Sequence, residues 1–179
     1  DDRNNNRRSF TIEVDPTAPF VVDFSLLPTL DFTEPDMLLA ADSYVPWNMT
    51  FGVSGRERAD CVDTPILFRE VDERDIAIQP NATGVAADCP FQALAIELAQ
   101  PVGNAFATIV PASNSNADII LFSDRAGANE VFRFSAPLVA GQPVELGEPV
   151  GAGARIRRIE IHAEGQPVTL TTLRLLPPG

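Results

Sequence analysis

One histidine, two cysteines, one tryptophan and one tyrosine are the residues of this 179-residue chain with the narrowest chemistry. His162 is the sole imidazole available to a Ser–His–Asp or Cys–His apparatus. It alternates with Ile159 and Ile161, so on a strand it faces away from the core, beside Glu160 and Glu164. No G-x-S-x-G surrounds any serine. Asp72, Glu73 and Asp75, or Asp31, Glu34 and Asp36, are groups of the type a glycosidase uses, but 25 acids in one chain produce such clusters by chance. We assign no catalytic residue. No D-x-D-x-D-G loop is present for calcium, and one His with two Cys fits no zinc pattern, so no metal or cofactor is expected.

The basic residues number 13 and all are Arg. Without Lys there is no Schiff-base chemistry and no Lys general base. A net charge of −12 argues against a nucleic-acid partner, because phosphate binding needs clustered positive charge.

Cys61 and Cys89 lie in R-A-D-C-V-D-T-P and A-A-D-C-P, two loop-like settings with 27 residues between them. The spacing suits a disulfide tying two loops together, which requires an oxidising compartment. Tyr44 and Trp47 stand three apart in S-Y-V-P-W-N, next to Asn48. The simpler reading makes Trp47 a plug for the end of a core. The other makes Tyr44, Trp47 and Asn48 a platform on which a sugar ring stacks, with the amide bonding its hydroxyls. Asn48 and Asn81 also open N-M-T and N-A-T, formal acceptors for N-glycosylation. In I-I-L-F-S-D-R-A-G-A-N-E-V-F-R-F, Asp124 sits where two apolar runs must reverse. It reads as the first residue of a tight turn that bonds N–H groups two residues on, with Gly127 as the exit.

The elements that must position these residues are strands. The 16 Pro and 11 Gly punctuate short runs rich in Val, Ile, Phe, Leu and Thr, the pattern of an all-β chain. Expected strands are Phe10–Val14, Phe20–Phe24, Met49–Val53, Ile66–Arg69, one within F-Q-A-L-A-I-E-L-A, Phe106–Val110, Ile119–Phe122, Val131–Phe134, Arg157–His162 and Val168–Leu175. About ten strands with no βαβ alternation imply two packed antiparallel sheets. The stretch L-D-F-T-E-P-D-M-L-L-A-A-D-S-Y-V-P has no clean period and reads as a loop with one helical turn near Met37. No stretch approaches the apolar length of a membrane helix.

The runs I-E-L-A-Q-P-V-G-N-A-F-A-T-I-V-P-A, A-D-I-I-L-F-S-D-R-A-G-A-N-E-V-F-R-F-S and A-R-I-R-R-I-E-I-H-A-E-G-Q-P-V-T-L-T-T-L-R-L resemble the C-terminal half of bacterial extracellular jelly-roll domains of PEP-CTERM, exosortase-sorted surface proteins. Pro101-Val102, Asp124 with Gly127, and Ile156, Ile159 and Ile161 fall in the family's order. V-V-D-F-S-L-L-P and S-Y-V-P-W-N-M-T-F-G-V resemble its opening strands, so the similarity covers residues 20–176. Thr171-Thr172 stand where the family has Asp-Asn, which removes a carboxylate and any metal site it would supply. The resemblance implies a jelly-roll sandwich and an extracellular setting, and no reaction.

The expectation is therefore a polar tail at 1–9 and one all-β jelly-roll domain at 10–179, exported and not an enzyme. Its first expected role is a structural building block of a cell-surface filament or matrix. Pro16 and Pro19 set residues 10–15 apart, so Phe10, Ile12 and Val14 read as anchors of an exchangeable strand that pairs with a neighbouring subunit. The alternative role is a carbohydrate-binding module whose partner is a polysaccharide.

Overall fold

Alternation along the strands builds the molecule. In β3 (Met49–Val53), Met49, Phe51 and Val53 are buried while Thr50 and Gly52 are half-buried, as a two-residue period demands of a sheet with one face inward. The computed structural model describes residues 19–24, 36–38, 48–56, 59–64, 66–72, 75–80, 89 and 91–179. Among the described residues it has twelve strands.

Besides β3 these are β1 (Phe20–Asp23), β2 (Asp36–Leu38), β4 (Ile66–Asp72), β5 (Asp75–Pro80), β6 (Leu94–Val102), β7 (Asn104–Ile109), β8 (Ser115–Phe122), β9 (Glu130–Leu138), β10 (Val144–Leu146), β11 (Ile156–Ala163) and β12 (Leu170–Leu176). One sheet runs β10–β7–β12–β5–β4–β2, with β1 also paired to β12. The other runs β3–β6–β11–β8–β9. Every pairing is antiparallel, and the sheets stack as a jelly-roll sandwich.

The core lies between the sheets. Leu94, Ile96, Leu98, Ile119, Leu121, Ile159 and Ile161 from one sheet meet Val22, Ala105, Ala107, Ile109, Leu170 and Leu173 from the other. Two bulges reconcile sequence spacing with this core. Ile156 and Ile159 are three apart, as are Leu170 and Leu173, so strict alternation would send one of each pair outward. A register shift between Ile156 and Arg158, and another between Leu170 and Thr172, returns both members inside.

Three strands depart from the expected set. The segment around Met37 contains no helical turn at that point: Asp36–Leu38 is β2, paired with Leu67–Arg69 of β4. β5 folds back on β4 as a hairpin in which Asp72 pairs with Asp75, so that acidic group marks a hairpin end. β10 is only three residues long and lies on the edge beside β7. Phe10, Ile12 and Val14, with Tyr44, Trp47 and Asn81, lie outside the described residues.

Cys61 and Cys89 form a disulfide with a Cα–Cα distance of 5.6 Å. It joins a 3-10 turn (Ala59–Cys61) after β3 to the connection before β6. Thr64 closes that turn by donating its hydroxyl to the Cys61 carbonyl at 2.7 Å. The bridge spans a sequence separation of 28. Loop closure of that length contributes roughly 3 kcal/mol in the chain-entropy account. Urea unfolding of the Cys61→Ser/Cys89→Ser protein is therefore expected to show a stability lower by about 3 kcal/mol than the oxidised parent. An unchanged midpoint would mean that the two loops are held by other contacts.

Candidate functional site

The turn between β8 and β9 organises the outer face of the five-stranded sheet. Asp124 Oδ1 accepts from the Ala128 N–H at 3.2 Å and Oδ2 from the Asn129 N–H at 2.6 Å. Ser123 N–H donates to the Asn129 carbonyl at 3.0 Å, so the reversal is wider than the four-residue turn the sequence suggests, and Asp124 bonds four and five residues on. The Ala128 N–H holds the Asp124 carboxyl below its ordinary range; desolvation opposes it, and the Asn129 N–H and side chain and the Ala126 N–H add smaller effects in the lowering direction.

Two arginines, both paired with the buried Glu160, hold this turn back onto the sheet. Glu160 is only 3% exposed, so β11 does not present it to solvent beside His162. Its carboxylate lies between Arg158 Nε at 2.8 Å and Arg56 Nε at 3.1 Å. Arg158 Nη1 continues to Glu97 Oε1 at 3.0 Å and to the Arg125 carbonyl at 3.2 Å. Arg56 Nη2 donates to the Gly127 carbonyl at 2.8 Å, and its guanidinium caps the buried Phe122 ring at 4.8 Å. The signs alternate along Arg56, Glu160, Arg158 and Glu97, and each guanidinium also grips the turn backbone. Gly127 is required twice over. Its φ is +72°, and a Cβ there would sit 3.1 Å from both Arg158 Nε and Glu160 Oε1.

A small pocket of about 90 Å³ opens beside this network, lined by Asn48, Met49, Thr50, Glu97, Leu98, Ala99 and Arg125. Arg125 is fixed by donating Nε to the Leu98 carbonyl at 3.3 Å and Nη2 to the Ala99 carbonyl at 2.8 Å. Asn48 holds a φ of 67°, which Asn tolerates better than most residues. Its Oδ1 accepts from the Gln100 N–H at 2.7 Å, its Nδ2 donates to the Gln100 carbonyl at 3.3 Å, and the side chain thereby extends the β3–β6 ladder by one step. Of the residues read as a glycan platform, Asn48 is thus placed in a pocket wall. The amide nitrogen that a glycosyl group would modify is engaged by backbone.

The sole histidine stands across a strand pair from a carboxylate, which in turn stands across from a hydroxyl. Asp118 of β8 pairs with His162 of β11 on one side and with Ser135 of β9 on the other. Ser135 Oγ lies 2.5 Å from Asp118 Oδ1. A hydrolytic triad needs the imidazole between the hydroxyl and the carboxylate, and here the carboxylate is in the middle. Arg133 reinforces that arrangement, 3.7 Å from Asp118 and paired with Glu130 at 2.9 Å. Among the described residues no group of three or more His, Cys, Asp or Glu side chains is arranged to hold a metal ion.

The sequence reading passed over Arg56, Glu97, Arg125 and Arg158. The available signal was R-x-E in Arg158 and Glu160, two opposite charges on one face of a strand flanked by isoleucines.

No protein-family profile matches the chain, and no curated protein matches it in sequence. Three solved structures of low identity are similar in fold. A Clostridium thermocellum N-terminal endo-1,4-β-D-xylanase 10B fragment with CBM22-1 and GH10 modules, complexed with xylohexaose, aligns with 88% of this chain at 9% identity and a TM-score of 0.41. The alignment spans 27% of that protein's length. BiXyn10A CBM1 in its apo form aligns over 88% of this chain and 96% of its own, at 9% identity and a TM-score of 0.42. A family two carbohydrate esterase from Cellvibrio japonicus aligns over 80% of this chain and 36% of its own, at 14% identity and a TM-score of 0.38.

The depressed Asp124 pKa carries a sign. A carboxyl whose folded pKa lies below its ordinary 3.8 adds stability above that value and loses it as pH falls through the folded pKa. The stability gap between the parent and Asp124→Asn is accordingly expected to be constant near neutrality and to close below about pH 3.8, which thermal melts across an acid series would show. A gap independent of pH would show that the N–H bonds to Asp124 do not depend on its charge.

Proposed function

We propose that this chain is a non-catalytic, exported β-sandwich module that binds carbohydrate, and that the pocket between β3, β6 and the β8–β9 turn is a sugar subsite. The observation that carries this reading is the state of the polar side chains in the pocket. Asn48 is held by Gln100, Arg125 by the Leu98 and Ala99 carbonyls, and Glu97 by Arg158. Side chains already fixed lose little conformational freedom on binding, so their hydrogen bonds count more fully toward affinity. Exposed Ala99 adds an apolar element to the lining. A mixed lining of this kind suits a sugar ring, which has C–H faces and a rim of hydroxyls.

An exported setting rests on the Cys61–Cys89 disulfide and on the resemblance to jelly-roll domains of exosortase-sorted surface proteins. Among the described residues no helix is long and apolar enough to cross a membrane. Affinity electrophoresis through gels containing a panel of plant and microbial polysaccharides tests the reading. At least one polymer is expected to retard the parent, and Thr50→Tyr, which fills the pocket from its half-buried side, is expected to lose at least about ten-fold in affinity at an unchanged melting temperature. Failure of every polymer, or equal retardation of both proteins, would contradict it.

A further inference from the structure

We infer that the ligand of this pocket is an uncharged sugar, gripped through neighbouring hydroxyls by Glu97 and Arg125; this rests on the pocket being a sugar subsite. The argument begins with which polar atoms are already used. Arg125 places Nε and Nη2 on the Leu98 and Ala99 carbonyls, and among the described residues Nη1 has no hydrogen-bond partner. Glu97 Oε1 accepts from Arg158, and among the described residues Oε2 has no hydrogen-bond partner. Asn48 has both ends of its amide committed to Gln100. The pocket therefore offers one charged acceptor and one charged donor on fixed supports.

A pair of hydroxyls on adjacent ring carbons matches that offer. One hydroxyl donates to the Glu97 carboxylate while its neighbour accepts from the Arg125 guanidinium, and both bonds are charge-assisted. A carboxylated sugar would also have to approach Glu97 and a chain of net charge −12, so a polyuronate is disfavoured at short and long range. An amino sugar is attracted by the overall charge but would meet the Arg125 guanidinium in the pocket. An uncharged diol uses both groups without opposing either.

The test is binding to a neutral glucan, a neutral xylan, a neutral mannan, polygalacturonate and chitosan, each at about 20 mM and about 500 mM NaCl, a range that shortens the screening length several-fold. A neutral polymer is expected to bind with less than about a two-fold change across that range, because no net ion pair forms. Glu97→Gln, which keeps the side-chain shape, is expected to weaken it at least about ten-fold, the loss typical of a charge-assisted hydrogen bond. The melting temperature of that variant should stay at the parent value, since Glu97 is 44% exposed. Strongest binding by polygalacturonate or chitosan, a steep salt dependence, or an unaffected Glu97→Gln would overturn the inference while leaving the pocket as a sugar subsite. Binding of none of the five would overturn both.

Discussion

The β8–β9 turn and the pocket beside it depend on one buried carboxylate. Glu160 lies at the centre of β11 with almost no exposure, and a lone charge there would cost several kcal/mol in lost hydration. Arg158, two residues before it on the same face, supplies one counter-charge. Arg56, from the segment that follows β3, supplies the other. Neither guanidinium is satisfied by Glu160 alone, and their remaining N–H groups reach the carbonyls of Arg125 and Gly127. Compensating the charge therefore requires the β8–β9 turn to lie over the sheet. The turn in turn shields the pair from water, which strengthens it.

Consequences run outward from that arrangement. With the turn in place, Arg125 projects toward β6 and meets the Leu98 and Ala99 carbonyls, which completes one wall of the pocket. Arg158 also holds Glu97 in the same cavity. The pocket is thus a by-product of charge compensation, built on backbone groups of strands whose other faces are packed in the core. On the opposite sheet a smaller device of the same type appears. Arg174 covers the Phe106 ring at 3.9 Å and pairs with Glu145 at 3.1 Å.

The sequence made the frame readable because period-two alternation is a direct imprint of a half-buried strand. β3 matches its expected bounds, and β1, β4, β6–β9, β11 and β12 appear where apolar residues alternate or run together. Where alternation was short or bordered by charge, the pattern failed. Ile76 and Ile78 of β5 sit between acids and Pro80, and β10 is too short to show a period. The disulfide was legible from its loop settings. The pocket was not, because Glu97, Arg158 and Glu160 are strand residues whose charge suggests solvent, and only the fold-back of a distant turn buries the last two. Arg56 and Arg125 joined them through contacts across 71 and 27 residues of chain, which no local pattern records.

Native-state amide exchange of Glu160→Gln against the parent tests this dependence most directly. The account predicts that the Ala128 and Asn129 amides, which donate to Asp124, exchange at least about ten-fold faster in the variant, as local opening of the turn requires. The Ala107 and Leu173 amides of the other sheet should keep their protection. Equal acceleration at all four positions would show that Glu160 contributes only to global stability, and no acceleration would show that the turn holds itself; either result would contradict the account.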